Sequence, residues 1–123
     1  MTPRALVAVV DDDESVRESL PDLLTELGYA ARAFASAQEF LDSGIIPDTK
    51  CLILDVGMPG MSGPELQREL IHRGHSIPTI FITAQSDRSI RRVVLRQGAV
   101  ACLFKPFSEQ ELRAALDAAL PLP

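Results

Sequence analysis

Five mainly apolar runs recur along the chain, and a segment with apolar residues at helical spacing follows each of them. The runs are short and rich in Val, Ile and Leu, which is typical of strands that are buried on both faces of a sheet. They cover residues 6–10, 29–35, 52–55, 78–84 and 101–104. The strict alternation of strand and helix predicts an α/β fold in which a parallel sheet carries helices on both faces.

Turn and capping residues mark the ends of the predicted helices. Gly28 closes the first helix, and Pro64 is a favoured first residue for the third. Ser36 and Ser108 each begin a Ser-x-x-Glu sequence, which predicts a capping box at the start of the second and fifth helices. The residues predicted to face inward are Val16, Leu20, Leu23, Leu24 and Leu27 in the first helix and Leu66, Leu70 and Ile71 in the third. The fourth helix covers roughly 87–97, with Ile90, Val93 and Val94 facing inward and Arg88, Arg91, Arg92 and Arg96 on its other face. In the fifth helix Leu112, Leu116 and Leu120 face inward.

Polar residues stand where four of the predicted strands end. Asp11 and Asp12 follow the first strand, Asp55 ends the third, Thr83 lies near the end of the fourth, and Lys105 follows the fifth. Because the carboxyl ends of parallel strands meet at one edge of the sheet, where α/β folds bind ligands, we expect these side chains to lie together. Taken alone, Asp55 could equally be a turn residue that caps its own backbone.

The charges of this predicted site suit phosphoryl chemistry. Crowded carboxylates repel one another unless a proton or a cation lies among them, and carboxylate oxygens beside an open loop are suitable ligands for Mg²⁺. A lysine ammonium and a threonine hydroxyl are suited to the equatorial oxygens of a phosphoryl group. The residues therefore predict transfer of a phosphoryl group to Asp55.

The charge and composition of the chain argue against several classes of function. The formal net charge is −5, whereas binding to a nucleic acid backbone needs clustered basic residues, so we expect no direct nucleic acid binding by this domain. Residues 1–4 lead into a strand rather than a signal peptide, and no apolar run approaches the length of a membrane span, so we expect a cytoplasmic protein without membrane contact.

Cys51 and Cys102 lack the spacing of a metal or disulfide pair and are expected to be buried hydrophobic residues. The length fits one domain over residues 1–120, with 121–123 as a tail or the start of a linker.

Four motifs together resemble the receiver domain of response regulators in two-component signalling. They are Val10-Asp11-Asp12, Leu54-Asp55 followed by Met58-Pro59-Gly60-Met61-Ser62-Gly63, Thr83-Ala84, and Lys105-Pro106-Phe107. Their order and spacing extend the resemblance over essentially the whole chain, and the Thr-Ala and Lys-Pro-Phe contexts are most similar to receivers of FixJ-type transcription regulators. The resemblance implies a flavodoxin-like, doubly wound sheet of five parallel strands in the order 2-1-3-4-5 with five helices.

The resemblance also implies a magnesium site around the nucleophile. Asp55 would be the phosphoacceptor and would contribute to the binding of Mg²⁺. Asp12 would bind the ion directly and Asp11 through water, and the backbone carbonyl of Gly57 would complete the protein ligands.

The remaining implied roles concern the phosphoryl group and its consequence. Thr83 and Lys105 would each contact a phosphoryl oxygen, and the Lys105-Pro106 peptide is expected to be cis. The donor would be a phosphohistidine on a sensor histidine kinase. Phosphorylation would remodel the face formed by helix 4, strand 5 and helix 5, through which a phosphorylation-dependent homodimer could form, and would regulate transcription through an output domain or partner absent from this chain.

Two other functions are compatible with parts of the sequence. Residues 11–15 fit the Asp-x-Asp-x-Ser pattern of haloacid dehalogenase-type phosphohydrolases, in which Asp11 would be the nucleophile and Asp55 would have no role. A pseudo-receiver that only binds partners is the second, although every acid, Thr83 and Lys105 are retained. The chain also departs from the receiver pattern, because Cys102 stands where most receivers place a Tyr or Phe; Phe104, on the same side of the strand, could supply the missing bulk.

Overall fold

The computed structural model describes residues 4–84 and 88–120. The strands are β1 (Leu6–Val10), β2 (Ala30–Phe34), β3 (Thr49–Asp55), β4 (Thr79–Ala84) and β5 (Ala101–Lys105). The helices are α1 (Glu14–Glu26), α2 (Ala37–Leu41), α3 (Gly63–His72), α4 (Arg88–Arg96) and α5 (Glu109–Ala119). A short 3₁₀ turn over Ile46–Asp48 precedes β3, which begins at Thr49, before the run predicted at 52–55.

All five strands are parallel and lie in the order β2-β1-β3-β4-β5. The predicted α/β fold and the flavodoxin-like strand order are therefore confirmed. Alternate residues of the central strands enter two apolar clusters, one on each face of the sheet. One cluster includes residues of α2, α3 and α4, and the other includes residues of α1 and α5.

Side-chain caps begin most of the helices. Ser62 and Ser108 form complete capping boxes, in which the serine oxygen accepts from the backbone N–H of Glu65 or Glu111 and the glutamate accepts from the serine N–H. The box at Ser108 is confirmed, whereas the box at Ser62 was not anticipated and places the start of α3 one residue before Pro64. A cap of this kind stabilises a helix by about 1 kcal/mol.

The predicted capping box of α2 forms only in part. The Ser36 hydroxyl accepts from the Glu39 backbone N–H at 3.1 Å. The Glu39 carboxylate, however, accepts from the backbone N–H of Ala35 at 3.2 Å, one residue before the expected donor. The serine therefore caps the helix as predicted, and the glutamate ties the end of β2 to it.

Two residues predicted to face the core are exposed. Ile71 is 58% exposed and Val93 is 45% exposed, whereas their neighbours Leu70 and Val94 are buried. Consecutive helical residues lie about 100° apart around the axis, and in α3 and α4 this rotation turns one member of each adjacent apolar pair toward the sheet and the other toward solvent. The predictions for Ile71 and Val93 were wrong because the apolar pattern alone does not decide which member of each pair turns inward.

No helix in the part of the chain that the structure describes has both the length and the apolar character needed to cross a membrane.

Candidate functional site

Four strand ends place the predicted site residues at one edge of the sheet. Asp11 follows β1 directly, Asp55 is the last residue of β3, Thr83 is the last but one of β4, and Lys105 ends β5. Asp12 follows Asp11 and is exposed, while Asp11, Asp55 and Thr83 are buried. The parallel topology thus gathers residues that are far apart in the chain.

Three carboxylates form an acidic cluster at this edge, composed of Asp11, Asp12 and Asp55. One oxygen of each lies within 4.8 Å of an oxygen of the other two. The Asp11 backbone joins the cluster to the fold, because its N–H donates to the Phe34 carbonyl at 3.0 Å and its side chain accepts from the Asp13 N–H at 2.9 Å. The acidic cluster therefore has one fixed, buried member and one member open to solvent.

Lys105 supplies the positive charge that faces these acids. Its Nζ lies 2.9 Å from Oδ2 of Asp11 and 3.7 Å from Oδ1 of Asp55. Burial lowers the pKa of Lys105, but the charges of Asp11 and Asp55 outweigh it, and the net effect raises the pKa above its ordinary value. The ammonium group is therefore charged and placed between the two buried carboxylates.

The surroundings of Asp55 disfavour its ionised form. Burial, followed by the negative charge of Asp11, raises the pKa of Asp55 from 3.8 to about 6, although Lys105 acts in the opposite direction. Hydrogen bonding with Asp11 and Asp12 adds to the increase. The ionised form of Asp55 is therefore less stable in the fold than in water, and an additional cation nearby would favour it.

The donor set fits a magnesium ion. Among the described residues, Oδ2 of Asp11 is a fully buried oxygen, and the Lys105 ammonium is the cation beside it, at 2.9 Å. Three convergent carboxylates, one of them exposed, match the all-oxygen, partly hydrated coordination that Mg²⁺ prefers. Asp11, Asp12, Asp55 and the backbone carbonyl of Gly57 are the groups that would hold the ion.

The loop after Asp55 is held against the strand by a close approach of α3. The Gly63 N–H donates to the Val56 carbonyl at 3.2 Å. A Cβ atom at Gly63 would overlap the Asp55 carbonyl oxygen and lie 3.0 Å from Cε1 of Phe81, whereas one at Gly57 would meet nothing within 4 Å. Gly63 thus allows the loop to close directly beside the acidic cluster.

One supporting side chain, Arg17, was missed by reasoning from the sequence. Arg17, on the first turns of α1, donates from Nη1 to the Asp11 carbonyl at 2.9 Å, and nothing in its sequence context signals this contact. Asp13 caps α1 by accepting from the Ser15 N–H and hydroxyl, which lower its pKa. Asp13, the second acid of the Asp-x-Asp-x-Ser pattern, is therefore engaged as a cap and is not part of the acidic cluster.

β5 departs from the usual receiver sequence, because it carries Cys102 in place of an aromatic residue and has Phe104 two residues later. Cys102 is buried as predicted, and so is Cys51, where burial raises the pKa of the thiol to about 12. Phe104 pairs in register with Thr83 across β4 and β5, so the two side chains lie on the same face of the sheet. The Lys105-Pro106 peptide is cis, as the resemblance implied. Gln85, which lies two residues after Thr83 and was expected to influence loss of the phosphoryl group, is outside the described residues.

Comparison with known proteins gives one consistent result. The response regulator receiver domain family matches residues 7–117. Nodulation protein W of Bradyrhizobium diazoefficiens is 45% identical over 116 residues, which is 94% of this chain and 51% of that protein, and the transcriptional regulatory protein FixJ of Azorhizobium caulinodans is 42% identical over 114 residues, 93% of this chain and 54% of that protein. The chain thus spans about half the length of the curated relatives it matches.

A solved structure agrees with these relatives over the full fold. The crystal structure of a response regulator receiver protein from Burkholderia phymatum has a TM-score of 0.84 and 42% sequence identity, covering 99% of this chain and 98% of its own. Both the sequence and the three-dimensional arrangement therefore give the same assignment. The chain belongs to the response regulator receiver domain family of two-component signalling.

Proposed function

We propose that the chain accepts a phosphoryl group on Asp55 from a phosphohistidine of a sensor histidine kinase, in a reaction that depends on Mg²⁺. Receiver domains are phosphorylated by such kinases, and they generally bind Mg²⁺ at an acidic pocket. We take residues 1–120 as the phosphoacceptor domain. The observation that carries the proposal is the position of Asp55, which ends the central strand 3.7 Å from the Lys105 ammonium and within the acidic cluster.

The chemistry follows from these neighbours. An oxygen of the Asp55 carboxylate attacks phosphorus, the new O–P bond forms, and the P–N bond of the phosphohistidine breaks with its electron pair returning to the imidazole. Lys105 compensates charge on one phosphoryl oxygen, and the Thr83 hydroxyl donates a hydrogen bond to another. A magnesium ion bound by Asp11, Asp12, Asp55 and Gly57 would neutralise further charge on the transferred group.

The openness of the site supports loss of the phosphoryl group from Asp55 by hydrolysis. Asp55 is buried, but the acidic cluster is open to solvent through the exposed Asp12. An acyl phosphate at this edge is therefore accessible to water, and Gly57 has no side chain to shield it. We propose that the chain promotes both its own phosphorylation and its dephosphorylation without being a conventional enzyme.

Phosphorylation with a small donor tests the proposal. The chain is incubated with acetyl phosphate and Mg²⁺, and its intact mass is measured. We expect an added mass of about 80 Da, that of one phosphoryl group, on a peptide that contains Asp55. Asp55→Asn is the matched control, because it keeps the shape of the side chain and removes the nucleophile.

The outcomes separate the alternatives. Label on Asp55 that is absent from Asp55→Asn would support the proposal. Label on Asp11 would favour the haloacid dehalogenase-type hydrolase, and no label on the wild-type chain would favour a pseudo-receiver. Either of these last results contradicts the assignment of Asp55.

We further propose that phosphorylation changes the face formed by α4, β5 and α5 and that this face regulates transcription through an output domain or partner in the cytoplasm. The exposed arginines of α4 and the exposed acids of α5 support a homodimer through this face, because the two helices carry opposite charges. They are Arg88, Arg91, Arg92 and Arg96 on α4, and Glu109, Glu111 and Asp117 on α5. Light scattering with and without acetyl phosphate tests the dimer.

A further inference from the structure

Arg17 of α1 contacts the peptide group that joins two members of the acidic cluster. Its Nη1 atom donates to the backbone carbonyl oxygen of Asp11 at 2.9 Å. That carbonyl belongs to the peptide between Asp11 and Asp12, and both residues lie in the acidic cluster. The Arg17 guanidinium thus holds the backbone at the point where two of the three clustered carboxylates are attached.

The Asp11 carbonyl lies just beyond the end of β1. That strand ends at Val10, and the N–H of Asp11 extends its pairing with β2 by donating to the Phe34 carbonyl at 3.0 Å. Asp11 is fully buried, so its carbonyl needs a donor from within the protein. Among the described residues, the Arg17 guanidinium is that donor. The contact therefore satisfies a buried acceptor that the sheet leaves unpaired.

The backbone on the other side of Asp12 is also held. The N–H of Asp13 donates to the Asp11 side chain at 2.9 Å. The carbonyl of Asp13 accepts from the backbone N–H of Arg17 at 3.2 Å, in the first turn of α1. Arg17 therefore holds the residue before Asp12 through its side chain and the residue after it through its backbone.

Asp12 depends on this backbone for its place in the acidic cluster. Its side chain is exposed and does not pack in the core. Because a peptide group is planar, the orientation of the peptide between Asp11 and Asp12 sets the direction in which the Asp12 side chain leaves the chain. A peptide plane held by its carbonyl keeps the Asp12 carboxylate near the other two acids.

We propose that Arg17 is a positioning residue that orders the peptide between Asp11 and Asp12 and so preorganises the acidic cluster for Mg²⁺. The inference rests on the proposed function, because it takes these carboxylates as the magnesium ligands. Preorganised ligands bind more tightly, since less ordering has to accompany binding. The positive charge of Arg17 acts in the opposite direction, because it repels a second cation. Positioning therefore predicts that removal of the guanidinium weakens Mg²⁺ binding, whereas charge alone predicts that it strengthens binding.

Binding of Mg²⁺ to the unphosphorylated 123-residue chain tests the inference. The dissociation constant is measured by isothermal titration calorimetry, and circular dichroism verifies that each chain is folded at the temperature of the titration. Arg17→Met keeps an unbranched apolar stem and removes the guanidinium. We expect its dissociation constant for Mg²⁺ to be about tenfold higher than that of the wild-type chain, as for loss of other groups that orient metal ligands. The difference should persist in about 1 M KCl, which screens the charge of Arg17.

Two further variants at the same position separate positioning from loss of structure. Arg17→Lys keeps the positive charge and a hydrogen-bond donor, and it should recover part of the lost affinity. Arg17→Gln places a shorter polar side chain on α1 and should weaken Mg²⁺ binding even if Arg17→Met folds poorly. A role in stability alone would lower the melting temperature of these variants and leave the dissociation constant of the folded chains unchanged.

Arg68→Met is the control for net charge. Arg68 is exposed on α3, and its guanidinium has no hydrogen bond or ion pair with the described residues. The substitution changes the formal charge by the same amount as Arg17→Met. It should leave the dissociation constant for Mg²⁺ unchanged.

Three results would overturn the inference. An unchanged dissociation constant in the folded Arg17 variants would show that the contact supports the fold alone, and a lower one would show that Arg17 acts only by repulsion. Equal weakening in Arg68→Met would assign the effect to net charge.

Failure of the proposed function would be seen separately. A wild-type chain that binds Mg²⁺ but gains no mass from acetyl phosphate would reject phosphoryl transfer to Asp55 and leave the role of Arg17 standing. A wild-type chain that does not bind Mg²⁺ would reject the magnesium site and, with it, this inference.

Discussion

At the scale of single residues, Asp55 is a carboxyl group whose ionised form is disfavoured by its surroundings in the fold. The pKa of Asp55 is raised from 3.8 to about 6, first by burial and then by Asp11. Above pH 6 Asp55 is ionised in the folded chain, and its negative charge is less stable there than it would be in water. We expect Asp55→Asn to increase the free energy of unfolding by about 1 kcal/mol at pH 7.5 without Mg²⁺, a value reduced for the partial solvent access of the site. Urea denaturation in the presence of EDTA measures it.

The pH dependence of this difference gives the control. A carboxyl group with a raised pKa in the folded state favours folding in its protonated form, so the wild-type chain should lose stability relative to Asp55→Asn as the pH rises from about 4 to about 6. The difference should then remain constant at higher pH. A difference that is already complete at pH 4 would contradict the assigned cause.

Lys105 stabilises the fold as well as the reaction. Its ammonium is 2.9 Å from Oδ2 of the fully buried Asp11. Removing one partner leaves an uncompensated charge, so we expect Lys105→Gln to destabilise the chain by about 2 kcal/mol in EDTA, and saturating Mg²⁺ to recover part of that loss. Thermal denaturation of both forms provides the measurement.

The other lysine of the chain is a natural control for this variant. Lys50 is exposed on β3 and makes no ion pair within the described residues. Lys50→Gln should leave the melting temperature and its response to Mg²⁺ unchanged. Equal effects of the two substitutions would show that overall charge, rather than the contact with Asp11, is responsible.

At the scale of elements, the junction between β3 and α3 depends on the absence of a side chain at Gly63. A Cβ atom there would overlap the Asp55 carbonyl oxygen. We expect Gly63→Ala to displace the loop, to destabilise the chain by about 2 kcal/mol, and to slow phosphorylation because Asp55 moves with its carbonyl. Melting temperature and the rate of mass gain with acetyl phosphate are the two measurements.

Gly57→Ala is the matched control in the same loop. A Cβ atom at Gly57 would meet nothing within 4 Å, and the residue is not among the glycines with positive φ. The substitution should therefore be nearly neutral for stability. A loss as large as that of Gly63→Ala would mean that the loop tolerates no side chain at all and that close contact at Gly63 is not the cause.

Helix patterns show where reasoning from elements works and where it stops. The box at Ser108 was predictable because capping depends on residues three positions apart. The orientation of α3 and α4 was not, because Ile71 and Val93 each adjoin another apolar residue and only contact with the sheet selects Leu70 and Val94. Local chemistry therefore predicts where a helix begins better than it predicts which side is buried.

At the scale of the whole molecule, the acidic cluster links metal binding to stability. A ligand that binds only the folded state stabilises it by about 1.4 kcal/mol for each tenfold increase in concentration above its dissociation constant. We expect the melting temperature to rise with Mg²⁺ in the wild-type chain. Asp12→Asn should weaken this rise and leave the fold intact, because Asp12 is exposed. An equal rise in both chains would remove Asp12 from the ligands.

Much of the site was predictable because it depends on topology. Alternating strands and helices imply a parallel sheet, and a parallel sheet brings Asp11, Asp12, Asp55, Thr83 and Lys105 to one edge. The family resemblance was confirmed by the match over residues 7–117. The roles of these residues in phosphoryl transfer stay predictions that the mass measurement addresses.

The amino-acid sequence by itself determined the order of elements, the strand ends that carry the acids, and the lysine that faces them, because these depend on residue spacing along one chain. The tertiary structure alone decided the contacts that depend on how the elements pack: Arg17 on the Asp11 carbonyl, Gly63 against Asp55, and Phe104 beside Thr83. Each of these contacts depends on how a helix, strand or loop is placed and rotated against its neighbour. The pattern of apolar and polar residues does not specify that placement. Packing at atomic distances, rather than periodicity, therefore sets how the site is held and how it can reach the surface of the protein.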